Sequence, residues 1–239
     1  MPKYSYDLHL HSCLSPCGDE DMTPANIVGM AAIKELDIIA VTDHNSCLNC
    51  EAVMEEAKEY GILVVPGMEL TTKEEVHVLC LFEDLENAIN FNQYVYSELN
   101  QMKNRVEIFG RQEIYLARDK KAGEEEMLLI QSTRISFDYV YSLVNQYKGI
   151  MIPAHIDKNS HSLLYNLGFI PPDSLFTCVE IKDKSKQIKL SEEHPYLKQC
   201  NIISNSDAHY LRDINEAVNH IELEEKSAQA LFQVLNTIG

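Results

Sequence analysis

Six of the nine histidines in this 239-residue chain stand where a strand pattern gives way to a loop, interleaved with carboxylates. His9 and His11 form a His-x-His pair at the end of the strand pattern Tyr4 to Leu8. Residues two apart on a strand face the same way, so both imidazoles can reach one ion. Asp43-His44 follows the apolar run Ile38-Ile39-Ala40-Val41, and Glu69 closes Pro66-Gly67-Met68-Glu69. His77 lies near the start of the next strand pattern, His155 ends Ile152-Pro153-Ala154-His155, and Asp207 and His209 end Ser204-Asn205-Ser206-Asp207-Ala208-His209. A lone histidine at a strand end is usually an ordinary hydrogen-bonded residue. Six of them beside Glu69 and Asp207 resist that explanation, because gathered imidazoles and carboxylates are costly to bury without a compensating cation. The chemistry such a cluster implies is metal-assisted hydrolysis. Neighbouring divalent ions bridged by a carboxylate lower the pKa of a shared water and stabilise charge on phosphoryl oxygens. His209 or His44 could protonate the leaving oxygen. His161, His194 and His220 are expected to be ordinary residues.

The elements that must position these groups alternate. Strand patterns cover Tyr4 to Leu8, Ile38 to Val41, Ile62 to Val65 and Val76 to Phe82, with helix patterns after Thr23-Pro24 and over Cys50 to Tyr60. A long helix is expected from about Leu85 to Arg105. The rhythm breaks over 106–134, where Glu113 to Arg118 and Met127 to Gln131 read as two strands around an Asp119-Lys120-Lys121-Ala122-Gly123 loop. That stretch is expected to be an insertion, a lid or an oligomer contact. The alternation then resumes with a helix over Phe137 to Tyr147, strands at Ile150 to Ala154, Cys178 to Ile181, Ile202 to Ser204 and Val218 to Ile221, and a closing helix over Ser227 to Asn236. One domain with an insert is expected, and polar ligand types gather where active sites of parallel α/β folds are assembled.

The bulk composition narrows the class. A chain 45% hydrophobic and 24% charged can bury a sizeable core. Its formal charge of −17 makes extended nucleic-acid binding unlikely, and the small phosphorylated metabolite or nucleotide expected as substrate would be repelled unless bound cations reverse the field locally. No signal-peptide pattern opens the chain and no apolar run approaches the roughly 20 residues of a membrane span. Seven cysteines without a secreted-scaffold spacing suggest reduced thiols and a cytoplasmic protein. Cys47-Leu48-Asn49-Cys50 is a Cys-x-x-Cys, and Cys13 and Cys17 lie in the other early loop; loose spacing favours ordinary thiols over a second metal site.

Asp7-Leu8-His9-Leu10-His11-Ser12, Val41-Thr42-Asp43-His44-Asn45, Pro66-Gly67-Met68-Glu69, Pro153-Ala154-His155 and Ser206-Asp207-Ala208-His209 resemble, in order, the motifs of the polymerase and histidinol phosphatase (PHP) superfamily. The resemblance implies a distorted (β/α)7 barrel and a phosphatase or phosphodiesterase with two to three divalent ions (Zn, Mn, Fe or Mg). It also implies that His9, His11, Glu69 and Asp207 hold one ion, that Glu69 bridges to a second held by His77 and His155, and that His44 and His209 take a third with a ligand from the loop after His11. Asp19 is the preferred ligand there and Cys17, which would favour zinc, is the alternative. Arg134 and Lys158, with Lys182 and Arg212, are candidates for substrate contact from loop position. A hydrolase of C–N bonds and a regulatory module without activity are the rival readings.

Overall fold

The computed structural model describes residues 1–237. Ten strands occur in it: β1 (Lys3–Leu10), β2 (Ile38–Val41), β3 (Leu63–Thr71), β4 (His77–Phe82), β5 (Glu113–Leu116), β6 (Lys120–Glu124), β7 (Gly149–Pro153), β8 (Cys178–Glu180), β9 (Asn201–Ile203) and β10 (His220–Glu222). Six form one sheet in the order β10-β1-β2-β3-β4-β7, while β5-β6 and β8-β9 form separate pairs. The parallel strands β1, β2 and β3 are joined by helices over Pro24–Ile33 and Cys50–Ala57. Their residues alternate between two buried clusters. Leu8, Ile38, Ala40 and Val65 pack on one side, whereas Ile39, Val41 and Val64 pack against Ile27, Val28 and Ala31 of the first helix. Burial on both faces is why β2 is a continuous apolar run.

The barrel expected from the sequence is not closed by a ladder of parallel strands. Only residues 72–76 separate β3 from β4, too few for the crossover of a dozen or more that a parallel return needs. A tight turn forms instead. Thr72 N donates to Val76 O (2.9 Å), Glu75 N donates to Thr72 O (2.9 Å), and Glu75 adopts a φ of 60°. Strand β4 therefore runs antiparallel to β3, and β7 antiparallel to β4. The result is an α/β fold with a curled, mixed sheet. The β8-β9 pair is joined to the sheet's edges by scattered hydrogen bonds rather than a ladder, among them Ile156 N to Glu180 O at one seam, and Leu8 N to Asn205 Oδ1 and His11 N to Ala208 O at the other.

The 106–134 stretch departs from expectation in register. The second hairpin strand is Lys120–Glu124, not Met127 to Gln131. The chain turns at residues 117–119, where Arg118 and Asp119 both have positive φ (60° and 45°). Asp119 accepts from Thr23 Oγ1 (2.5 Å) and Ala25 N (2.9 Å), at the N-terminus of the first helix, and this contact places the turn. Met127 to Gln131 is irregular and lies along the site. The long helix is also shorter than expected, Leu85–Ser97, because Leu99 and Lys103 bridge in extended conformation to Thr133 and Met127.

Candidate metal centre

Glu69 lies at the middle of the site. It is buried, and its backbone N–H donates to both Thr42 O (3.2 Å) and Asp43 O (3.0 Å), which ties β3 to the loop carrying His44. Five imidazoles surround its carboxylate. His77 Nδ1 (3.0 Å), His155 Nε2 (3.1 Å) and His9 Nε2 (3.3 Å) face Oε1, while His44 Nδ1 (3.2 Å) and His11 Nε2 (3.4 Å) face Oε2. Asp207 Oδ1 approaches His11 Nε2 (3.3 Å) and His9 Nε2 (3.4 Å). His209 stacks on His11 with ring centroids 4.2 Å apart. Burial alone would raise the Glu69 carboxyl, yet His77 and His9 hold it well below the usual carboxylate range.

The hydrogen bonds behind these rings define their tautomers. His9 Nδ1 lies 3.0 and 3.1 Å from the two oxygens of Glu180, an acceptor only, so Nδ1 carries the hydrogen. The single hydroxyl hydrogen of Ser15 goes to Asp43 Oδ1 (2.7 Å), so His11 Nδ1 donates to Ser15 Oγ (3.0 Å). His209 Nδ1 likewise donates to Asp207 O (3.0 Å). In the neutral rings Nε2 is then a lone pair aimed inward, and the His9 and His11 Nε2 atoms stand 3.3 Å apart. Two lone pairs at that distance repel unless a proton or a metal ion lies between them. Buried His44 Nδ1 and His155 Nδ1 have no hydrogen-bond partner. Three sets of donor atoms lie within 4.8 Å of one another: His9, His11, Glu69 and Asp207; His44, Glu69 and His77; and His11, His44 and His209. Nitrogen and carboxylate donors so arranged fit divalent cations of the zinc, manganese or iron kind.

Backbone strain concentrates here. His155 (φ 30°), Asp207 (φ 52°) and Asn45 (φ 49°) all occupy left-handed conformations, which cost about 1–3 kcal/mol each and persist where the surroundings impose them. Glu180 imposes one of them by accepting from His155 N (2.8 Å) and also holds Asn205 Nδ2 (2.8 Å). Sequence reading passed over Glu180; its only signal is one acid inside the apolar run Cys178-Val179-Glu180-Ile181. His161, expected to be ordinary, stacks on His77 at 4.8 Å and lines the same cavity of about 190 Å³ as Glu69, Lys158 and His209.

Other expected residues lie elsewhere. Asp19 is outside the donor sets: its carboxylate accepts from Asp21 N (3.0 Å), whereas Cys17 lines the cavity. Arg134 is far more exposed and pairs with Glu98 (3.2 Å) and Ser97 O (2.7 Å), so it is not a wall of the cavity. Lys158 does line it and pairs with Asp207. Cys47 and Cys50 are buried thiols against Gly67 O, at 3.2 and 3.4 Å, and burial pushes Cys47 well up. Neither joins a donor set among the described residues.

A PHP domain model matches residues 7–233, and the chain belongs to that family of metal-dependent hydrolases. An uncharacterized protein of Methanocaldococcus jannaschii is 33% identical over 93 residues, 35% of this chain and 54% of that one. A 5'-3' exoribonuclease of Haemophilus influenzae is 32% identical over 79 residues, 32% of this chain and 28% of the enzyme. The chain thus spans about half, or less, of the curated relatives it matches. Among solved structures, the lesion-specific endonuclease Q of Pyrococcus furiosus superposes with a TM-score of 0.68 at 16% identity, covering 100% of this chain and 57% of that one. Endonuclease Q has also been solved with a 27-mer duplex carrying an abasic lesion at the active site, with a TM-score of 0.69 and 16% identity over the same shares. A protein of Bifidobacterium adolescentis, provisionally assigned as a metal-dependent phosphoesterase, gives 0.61 at 17% identity over 98% and 96%.

These comparisons overturn the expectation of a small phosphorylated substrate with extended nucleic-acid binding unlikely. The relatives include nucleases of RNA, and the similar fold has been seen on a DNA duplex. The net charge misled because it averages the whole surface, while a substrate meets the local field of a site. No helix among the described residues is long and apolar enough to cross a membrane.

Proposed function

We propose that this chain is a metal-dependent hydrolase of phosphodiester bonds in nucleic acid. The observation that carries the reading is the Glu69 carboxylate ringed by five imidazoles at 3.0–3.4 Å, with two inward Nε2 atoms 3.3 Å apart. His9, His11, Glu69 and Asp207 would hold one ion, Glu69 with His77 and His155 a second, and His44 and His209 with His11 a third. Divalent ions in such a centre supply an activated water nucleophile and stabilise charge on the phosphoryl oxygens. The chain's own groups do the rest. Glu180 and Ser15 orient the rings of His9 and His11 from behind. Lys158, on the cavity wall, brings a cation to a phosphoryl oxygen. His161, on that wall and outside the donor sets, is placed to give a proton to the leaving oxygen. The names of the exoribonuclease and endonuclease relatives support nucleic acid as the substrate class.

The test is a substrate panel with defined Mn, Zn or Mg: RNA and DNA oligonucleotides, bis(p-nitrophenyl) phosphate, p-nitrophenyl phosphate and a simple amide. Metal-dependent cleavage of the diesters ahead of the monoester is expected. Turnover of the amide alone would replace this reading with C–N hydrolysis.

A further inference from the structure

A second cleft, of about 540 Å³, opens beside the metal centre and shares one wall residue with it, Asp207. Lys182 and Lys184 form one side, on the loop after β8; Ser206, Asn215 and Asn219 form the other. Lys182 Nζ donates to Ser206 O and Lys184 Nζ to Asn219 Oδ1, so both ammonium groups reach across the cleft toward neutral oxygens. Neither lysine has a carboxylate partner among the described residues, in contrast to Lys158 with Asp207 and Lys186 with Asp157. The one other acid on the wall, Asp213, is exposed and turned to Arg212 at 3.7 Å. The far wall is held in place by buried Asp7, whose carboxylate accepts from Ser206 N (2.9 Å) and Asn215 N (3.1 Å). In a chain of net charge −17, two ammonium groups that form no salt bridge on a pre-shaped cleft are free to meet an anion.

We propose that this cleft seats a backbone phosphate of the nucleic-acid strand next to the one being cut, with Lys182 and Lys184 as its cationic contacts and Asn215 as an amide contact, Asn219 holding the Lys184 ammonium in place through its Oδ1. The inference rests on the nuclease reading above. The cleft lies against Asp207, so a strand whose scissile phosphate is in the metal cavity continues directly into it. A substrate with a single phosphate leaves the cleft empty. The lysines thereby favour polymers over small esters.

The experiment uses the double variant K182Q/K184Q, with K182R/K184R as the charge-keeping control and thermal unfolding to verify folding. Two readouts are taken: anisotropy of a labelled single-stranded oligonucleotide across a salt series, and the ratio of kcat/KM for the oligonucleotide to that for bis(p-nitrophenyl) phosphate. The glutamine variant is expected to bind about tenfold more weakly, with a salt slope shallower by about 0.7 for each ammonium–phosphate pair removed, and to lower the kinetic ratio similarly. The arginine variant should restore both. An unchanged slope and ratio, or parent protein that binds no oligonucleotide, overturns the subsite. If parent protein cleaves neither ester yet binds the oligonucleotide through these lysines, the nuclease reading fails while the anion cleft stands.

Discussion

Glu69 touches more of the site than any other side chain, and its charge is what the five surrounding imidazoles share. In Glu69→Gln one oxygen becomes an NH2 that cannot bind a cation. Turnover of a diester should fall on the order of 10³-fold, while the circular dichroism spectrum is kept. A near-parental rate would reduce Glu69 to a structural role. Glu180 acts at one remove, through His9 Nδ1 and His155 N. Carboxylates behind metal-binding histidines typically account for about 10–100-fold in metal affinity. Glu180→Gln should weaken Zn or Mn binding by that factor in a competitive chelator titration; unchanged affinity would show that Glu180 only packs the seam. His161→Ala should lower kcat about 10²-fold, as loss of a proton donor does, with metal content by elemental analysis equal to the parent's. Parental kcat would leave it as packing against His77. Metal counts on Cys17→Ser and Asp19→Ala address the early loop, where the thiol rather than the carboxylate faces the cavity.

At the scale of elements, the segment after the hairpin is pinned to the site by Asn45. Its Nδ2 donates to Leu129 O (2.7 Å) and Gln131 O (2.8 Å), and its Oδ1 accepts from Thr71 N (2.9 Å) at the end of β3. This brings Ile130 to the cavity wall. Asn45→Ala leaves three backbone groups without partners. At about 1–3 kcal/mol for a buried unsatisfied group, the loss should total roughly 3 kcal/mol once water recovers some of them. For a domain of this size that is a fall in Tm on the order of 6–12 °C, and amide exchange should speed up across residues 127–133. A Tm within a degree of the parent's would show that this segment is held by other contacts.

Across the whole molecule, proton and metal compete for the same charge. Burial alone would lower His11, but its bonds to Asp207 and Glu69 raise it to about 9, and Glu180 and Glu69 raise His9 well above its ordinary value. The protonated form is thereby favoured at this pair of rings when no metal is bound, and loading would release protons. Calorimetry at pH 7 in buffers of different ionisation enthalpy should show net proton release on Zn or Mn binding, and affinity should rise with pH toward about 9. Uptake or no change would sink this linkage. The same shift gives the metal-free fold a contribution from His11 that is fully present below the ordinary histidine pKa of about 6.5 and is lost as pH rises through about 9.

Residue type and local pattern were enough to find much of this. His9 and His11 two apart at the end of a strand pattern, Asp43-His44 after a buried apolar run and Asp207-Ala208-His209 beyond the short strand pattern at Ile202 are facts of order along the chain, and local pattern marks those strands. The sequence likewise determined that β2 is buried on both sides. Only the tertiary structure decided what lies across from each ligand. Glu180 is 171 residues from His9, and its one local signal, an acid inside an apolar run, does not say which ring it meets. His161 became a wall of the cavity because the loop after β7 folds its ring onto His77, and Arg134 was drawn away from the site because Glu98 lies nearer. Asp119 turned the hairpin early because a helix N-terminus formed 94 residues before it in the chain, and a five-residue link reversed β4 and opened the expected barrel. Long-range pairing is set by chain closure and by which buried charges find partners, and neither is visible in a window of neighbouring residues.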